Sequence, residues 1–172
     1  RYLDRGTPVA GWARPAFDYT GWRTGRAELG FGDGGEATKL TGRQLSFYFR
    51  RAFSVDPAVT SVRLWLVADD GAVVYLNGIE VARDNMPRGS VTPTTKASTN
   101  RTGKAESAVR VFDLPVSMVR SGANTIAVEV HQNWKKSSDL SFQAGITTTV
   151  PDEAAAPAPT AAPTTAAPTT AA

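Results

Sequence analysis

The chain has 172 residues, 19 basic and 16 acidic side chains, a net charge of +3, one histidine and no cysteine. That composition excludes disulfide staples, thiolate metal sites, a cysteine nucleophile and a multi-histidine metal centre. The basic residues are scattered, with only Arg50-Arg51 and Lys135-Lys136 adjacent, so no nucleic-acid partner is expected. No apolar run reaches membrane-spanning length, so no membrane insertion is expected either.

Residues 1–43 hold glycines and aromatics without a clean period and read as irregular. Gln44–Val55 alternates, with Leu45, Phe47 and Phe49 on one face and Ser46, Tyr48 and Arg50 on the other, as a half-buried strand requires. Ser61–Ala68 alternates in the same way, with Val62, Leu64 and Leu66 opposite Arg63, Trp65 and Val67. The run Asp69–Gly78 then carries two turn signals. Asp69-Asp70-Gly71 can close a hairpin through a left-handed Gly71, and Asn77-Gly78 suits a type I′ turn, which needs φ > 0 at both central residues. The expectation is a three-stranded meander of Val62–Ala68, Ala72–Leu76 and Ile79–Arg83. Residues 84–107, rich in Pro, Ser, Thr, Gly and Lys, read as a long surface loop.

Ala108–Leu114 reads as a strand and Pro115–Arg120 as a single helical turn. Asn124–Gln132 alternates again, with Ile126, Val128 and Val130 inward and Glu129 and His131 outward, and Leu140–Val150 closes the domain. Many short strands with frequent turns predict an all-β antiparallel sandwich or jelly roll over residues 1–150. Residues 151–172 are Pro, Ala and Thr apart from Asp152 and Glu153. Such a segment cannot bury enough apolar surface to offset its ordering entropy, so it reads as a disordered linker that extends to about 70 Å. Without those two acids, residues 1–150 carry 19 basic against 14 acidic side chains, a charge of +5.

Trp12, Phe17–Trp22, Leu29–Asp33, Phe47–Phe53, Asp69–Gly78, Val81–Pro87, Ser121–Gln132 and Ser137–Phe142 together resemble the galactose-binding-like jelly-roll accessory domains of secreted bacterial proteins. A more distant likeness is to the sugar-binding domain of family 2 glycoside hydrolases. The resemblance implies a non-catalytic passenger domain of an extracellular or cell-surface protein. It also implies loops at one end that hold a polysaccharide or cell-surface glycan, and a calcium ion that braces the sandwich. The alternative is a purely structural domain that packs on a neighbouring catalytic domain and binds no sugar. In either case the linker implies a covalently attached domain beyond it.

The chemistry-bearing residues are few. Asp69 and Asp70, with Asp139, could supply oxygens to Ca²⁺, although turn formation is the favoured explanation of the pair. His131 has no nucleophile elbow around it and reads chiefly as a histidine hydrogen-bonded across the sheet, with ligand contact as the alternative. Glu129, His131, Arg83 and Asp70 are expected on one polar face, more as an ion network than as an acid/base pair. The resemblance implies that Trp12 and Trp22 are packing residues. Trp134 sits among polar neighbours in Asn133–Lys136, where an exposed indole can stack on the apolar face of a sugar ring. Lys135 beside it would favour an anionic polymer. The ligand-binding candidates are therefore Trp134, Lys135, His131, Glu129 and Arg83, and the metal candidates Asp69, Asp70 and Asp139. No catalytic residue is expected.

Overall fold

In a computed structural model that describes residues 1–8 and 10–151, the alternating segments become strands of two stacked sheets. The long ones are β4 (Ser46–Val55), β5 (Ser61–Ala68), β9 (Gly122–His131) and β10 (Leu140–Thr149). Residues 1–43 also contribute three short strands, β1 (Tyr2–Leu3), β2 (Leu29–Phe31) and β3 (Thr38–Lys39), which no periodicity announced because two or three residues cannot show one. With β6 (Gly71–Leu76), β7 (Ile79–Asp84) and β8 (Arg110–Leu114) the order is β1-β4-β9-β6-β7 in one sheet and β3-β2-β10-β5-β8 in the other. All pairs are antiparallel except β2 with β3. The fold is an all-β sandwich, as expected. Pro115–Arg120 forms a 3₁₀ turn at Val116–Met118, and the 84–107 segment contains another at Gly103–Ala105.

The inner faces follow the period-two reading. Phe47 and Phe49 of β4, Leu64 and Leu66 of β5, Val74 and Leu76 of β6, Val128 and Val130 of β9, and Leu140 and Phe142 of β10 form one buried cluster between the sheets. Phe49 and Phe142 stack across the gap with ring centroids 4.0 Å apart. Each such side chain contributes about 1.5–3 kcal/mol of burial.

The meander expectation is half right. β6 and β7 pair as a hairpin, and Asn77 (φ 53°) and Gly78 (φ 87°) take the left-handed angles that the type I′ turn needs. β5 and β6, however, do not pair. β5 lies between β10 and β8 in one sheet and β6 between β9 and β7 in the other. Asp69-Asp70 is therefore an inter-sheet corner and not a hairpin loop. Val62, Leu64 and Leu66 on β5, and Val74 and Leu76 on β6, reach the same core from opposite sheets.

The 84–107 segment is more than surface loop. Met86 and Ala97 are buried against Val73 on the outer face of the β6–β9 sheet, in a second small core. On the same outer face Trp12 stacks with Trp22 (6.2 Å between centroids) and meets Tyr48 and Tyr75 edge-on. Both tryptophans pack, as expected of them.

Candidate functional site

The corner between the sheets organises one end of the sandwich. The backbone N–H of Asp69 donates to Ser141 O on β10, which fixes the corner to the neighbouring strand. Asp70 is 1% exposed, and its two carboxylate oxygens accept two backbone amides from different loops. Arg101 N donates to Oδ1 at 2.6 Å, and Asn133 N donates to Oδ2 at 2.7 Å. Charge-assisted bonds of this kind are about twice as strong as neutral ones. Asp70 thereby clasps the 84–107 loop to the Asn133–Asp139 loop.

Other side chains lock the same junction. Asn85, at φ 51°, donates through Nδ2 to Asp70 O and Thr99 O and accepts Thr99 N and Oγ1 at its own Oδ1. Asn133 Nδ2 donates to Ala97 O. Arg101 is the largest piece that the sequence reading missed. Its guanidinium donates to Ala68 O at 2.6 Å and to Asp84 Oδ2 at 2.7 Å, with the side chain nearly buried. The only signal in the sequence is an arginine amid the small polar residues Ser98–Gly103, and that does not say where its partners lie.

Asp69 behaves differently from Asp70. Burial pushes its carboxyl up to about 8, and the adjacent Asp70 carboxylate reinforces the shift, with Asp139 and Glu106 adding smaller repulsions. At neutral pH Asp69 holds a proton, and its Oδ1 has no hydrogen-bond partner. The structure therefore brings the three metal candidates Asp69, Asp70 and Asp139 into one neighbourhood. Asp70 is committed to backbone amides, and among the described residues no three His, Cys, Asp or Glu side chains converge to hold a metal ion.

Trp134 stands beside this junction with 59% of its surface exposed. Its carbonyl accepts Ser137 N at 3.0 Å, which closes the turn that presents the indole. A cavity of about 350 Å³ opens there, with Asn100, Arg101, Trp134, Lys136 and Asp139 among its walls. One wall comes from the 84–107 loop and the other from the Asn133–Asp139 loop, the two segments that Asp70 ties together. Lys135 is exposed next to Trp134, but Lys136 is the lysine that lines the cavity.

The remaining candidates lie elsewhere. Glu129 and His131 do point to the outer face of β9, but both are buried there, and His131, fully buried, meets the 84–107 loop at Thr95. His131 Nδ1 lies 2.8 Å from Thr95 O, and Nε2 lies 3.2 Å from Glu129 Oε2. Tyr75 Oη donates to Glu129 Oε1 at 2.6 Å, and burial together with that bond pushes the phenol up. Arg83 shares a row with Glu129 through Val73, yet it forks onto Glu80 at 2.7 and 2.8 Å. This is a covered polar network, separate from Trp134, and Asp70 is not part of it.

No family model matches the chain, and no curated protein matches it. Solved structures share the fold. β-Glucuronidase 2 of Bacteroides uniformis, covalently bound to cyclophellitol-6-carboxylate aziridine, superposes with a TM-score of 0.52 at 18% identity, over 78% of this chain and 14% of that one. A calcium-binding mutant of the same enzyme gives a TM-score of 0.50 at 14% identity, over 82% and 17%. An α-L-rhamnosidase of Streptomyces avermitilis complexed with L-rhamnose gives 0.46 at 23% identity, over 62% and 9%. At identities this low the two β-glucuronidase structures show the fold alone. The chain spans less than a fifth of the length of each of these enzymes.

Proposed function

We propose that residues 1–150 form a non-catalytic glycan-binding module of an exported bacterial protein, with residues 151–172 as its tether to another domain. The supporting observation is Trp134, an exposed indole at the rim of a polar cavity whose two walls are fastened by Asp70. An aromatic face desolvates the C–H face of a sugar ring, while fixed polar groups meet its hydroxyls. Asn100, Arg101 and Asp139 supply donors and acceptors at that rim, and Lys136 supplies a cation. The tether then raises the local concentration of the attached domain at the polymer, so weak binding suffices. Residues 152–172 lie outside the described residues, and the linker reading rests on their composition.

The test is a polysaccharide pull-down and glycan-array screen of the wild type beside Trp134→Ala. The expected outcome is retention by at least one polysaccharide, an affinity loss of about tenfold or more in the variant, and an unchanged melting temperature, because the indole is exposed. Undiminished binding by the variant would remove the site from consideration. A second reading is a structural domain that packs on a neighbour. It is favoured by Val109 and Val111, both more than half exposed at the start and along the edge of β8. It predicts no polysaccharide binding and a loss of association with the attached domain in Val111→Lys.

A further inference from the structure

The cavity beside Trp134 is lined by charges of both signs, and they are not equally free. Arg101 is already neutralised: its guanidinium is held by Asp84 Oδ2 and Ala68 O. Lys136 is exposed on a flexible stem that can turn to solvent. Glu106 and Asp139 line the same cavity, and neither makes an ion pair among the described residues. Asp139 Oδ1 accepts only the hydroxyls of Ser137 and Ser138, at 3.2 Å each.

Two buried acceptors behind the cavity also lack donors. Asp69 and Gln132 are 3% and 1% exposed, and Asp69 Oδ1 and Gln132 Oε1 have no hydrogen-bond partner among the described residues. Both residues stand against the lining. Gln132 Nε2 donates to Asp139 O at 2.8 Å, and Asp69 is close enough to Asp139 and Glu106 for both to repel charge from its carboxyl. This end of the sandwich therefore holds more acceptors than free donors. Buried acceptors without donors and acidic neighbours without a cation are both costly. A ligand that brings N–H donors and a positive charge offsets that surplus, whereas an anionic ligand adds to the repulsion.

We propose that the glycan held at Trp134 carries free ammonium groups: an amino sugar without its N-acetyl substituent, with its ring on the indole and its ammonium toward Glu106 and Asp139. The inference rests on the glycan-binding reading of this cavity and adds the charge of the ligand, opposite in sign to the one that Lys135 suggests.

The experiment is a calorimetric titration of the full chain with three β-1,4-linked tetramers, built from glucosamine, N-acetylglucosamine and glucose, at mildly acidic pH, where a free amine holds its proton. The expected result is saturable binding of the glucosamine tetramer, about tenfold or more tighter than the other two, with a preference that shrinks as salt is added. Glu106→Gln and Asp139→Asn should each reduce that preference at least fivefold, and Trp134→Ala should weaken binding of the glucosamine tetramer. The Glu106 side chain is half-buried and has no ion pair to lose, so its variant keeps the fold even if Asp139→Asn does not. Equal affinity for the three tetramers, tighter binding of an uncharged one, or a full preference in Glu106→Gln would overturn the ammonium and leave glycan binding at Trp134 standing. No binding of any tetramer or polysaccharide, or undiminished binding in Trp134→Ala, would remove the glycan site and this inference with it.

Discussion

Asp69 and Asp70 are neighbours in sequence, both nearly inaccessible, and they do opposite things. Asp70 accepts two backbone amides from distant loops, whereas Asp69 is stabilised as the neutral acid by burial and by Asp70 itself. The consequence for stability has a definite sign. The unfolded chain loses the Asp69 proton near 3.8, and the folded chain keeps it until about 8. Between those values the folded state binds the extra proton, so stability falls as pH rises, by up to about 1.4 kcal/mol per pH unit for one group, and levels off above 8. Melting temperatures from pH 5 to pH 8.5 should show that decline, and Asp69→Asn should flatten it and melt higher than the wild type at pH 8.5. An unchanged slope in the variant would place the titration elsewhere. The pair itself was legible in the sequence as two carboxylates at a turn. Its division into one acid that accepts two amides and one that keeps its proton was not, because it depends on Arg101, Asn133 and Asp139, which lie 31 to 70 positions away in the chain.

At the scale of elements, the β6–β7 hairpin is the most locally determined part of the molecule. Asn77 fits the left-handed position and is also anchored. Its N–H donates to Thr125 O, its Oδ1 accepts Thr125 N, and its Nδ2 donates to Asn124 Oδ1. Gly78→Ala would force a Cβ into the left-handed region at φ 87° and to within 3.1 Å of Arg14 Cγ. A loss of about 1–2 kcal/mol is expected, read by urea denaturation, with the m-value unchanged. The β5–β6 connection shows the limit of local reading. Asp-Asp-Gly favours a turn, and a turn is present, but turn chemistry does not say whether the strands on either side pair with each other or with strands of two different sheets. The loop over Val73 shows the same limit. Pro, Ser and Thr marked it as irregular, and only distant partners fasten it down, Val73 against Met86 and Ala97, Asp70 at Arg101 N and His131 at Thr95 O.

For the whole molecule, two five-stranded sheets share one core, and the strands at its centre carry most of the stability. Leu66 is fully buried on β5, which lies between β10 and β8. Leu66→Ala should cost about 3–4 kcal/mol by lost burial and residual cavity, seen as a lower urea midpoint. The sequence by itself determined the class of fold, the positions of the long strands and the I′ hairpin. Each of these is written in neighbours: a period of two, an Asn-Gly step. Tertiary structure alone decided which sheet each strand joins, where residues 1–43 contribute strands, and which polar residues end up covered. It put Trp134 on an open cavity and His131 under a loop, although the two are three positions apart. The physical reason is that exposure and hydrogen-bond partnership are settled by whatever distant segment packs alongside, and a single alternating strand carries no record of that segment.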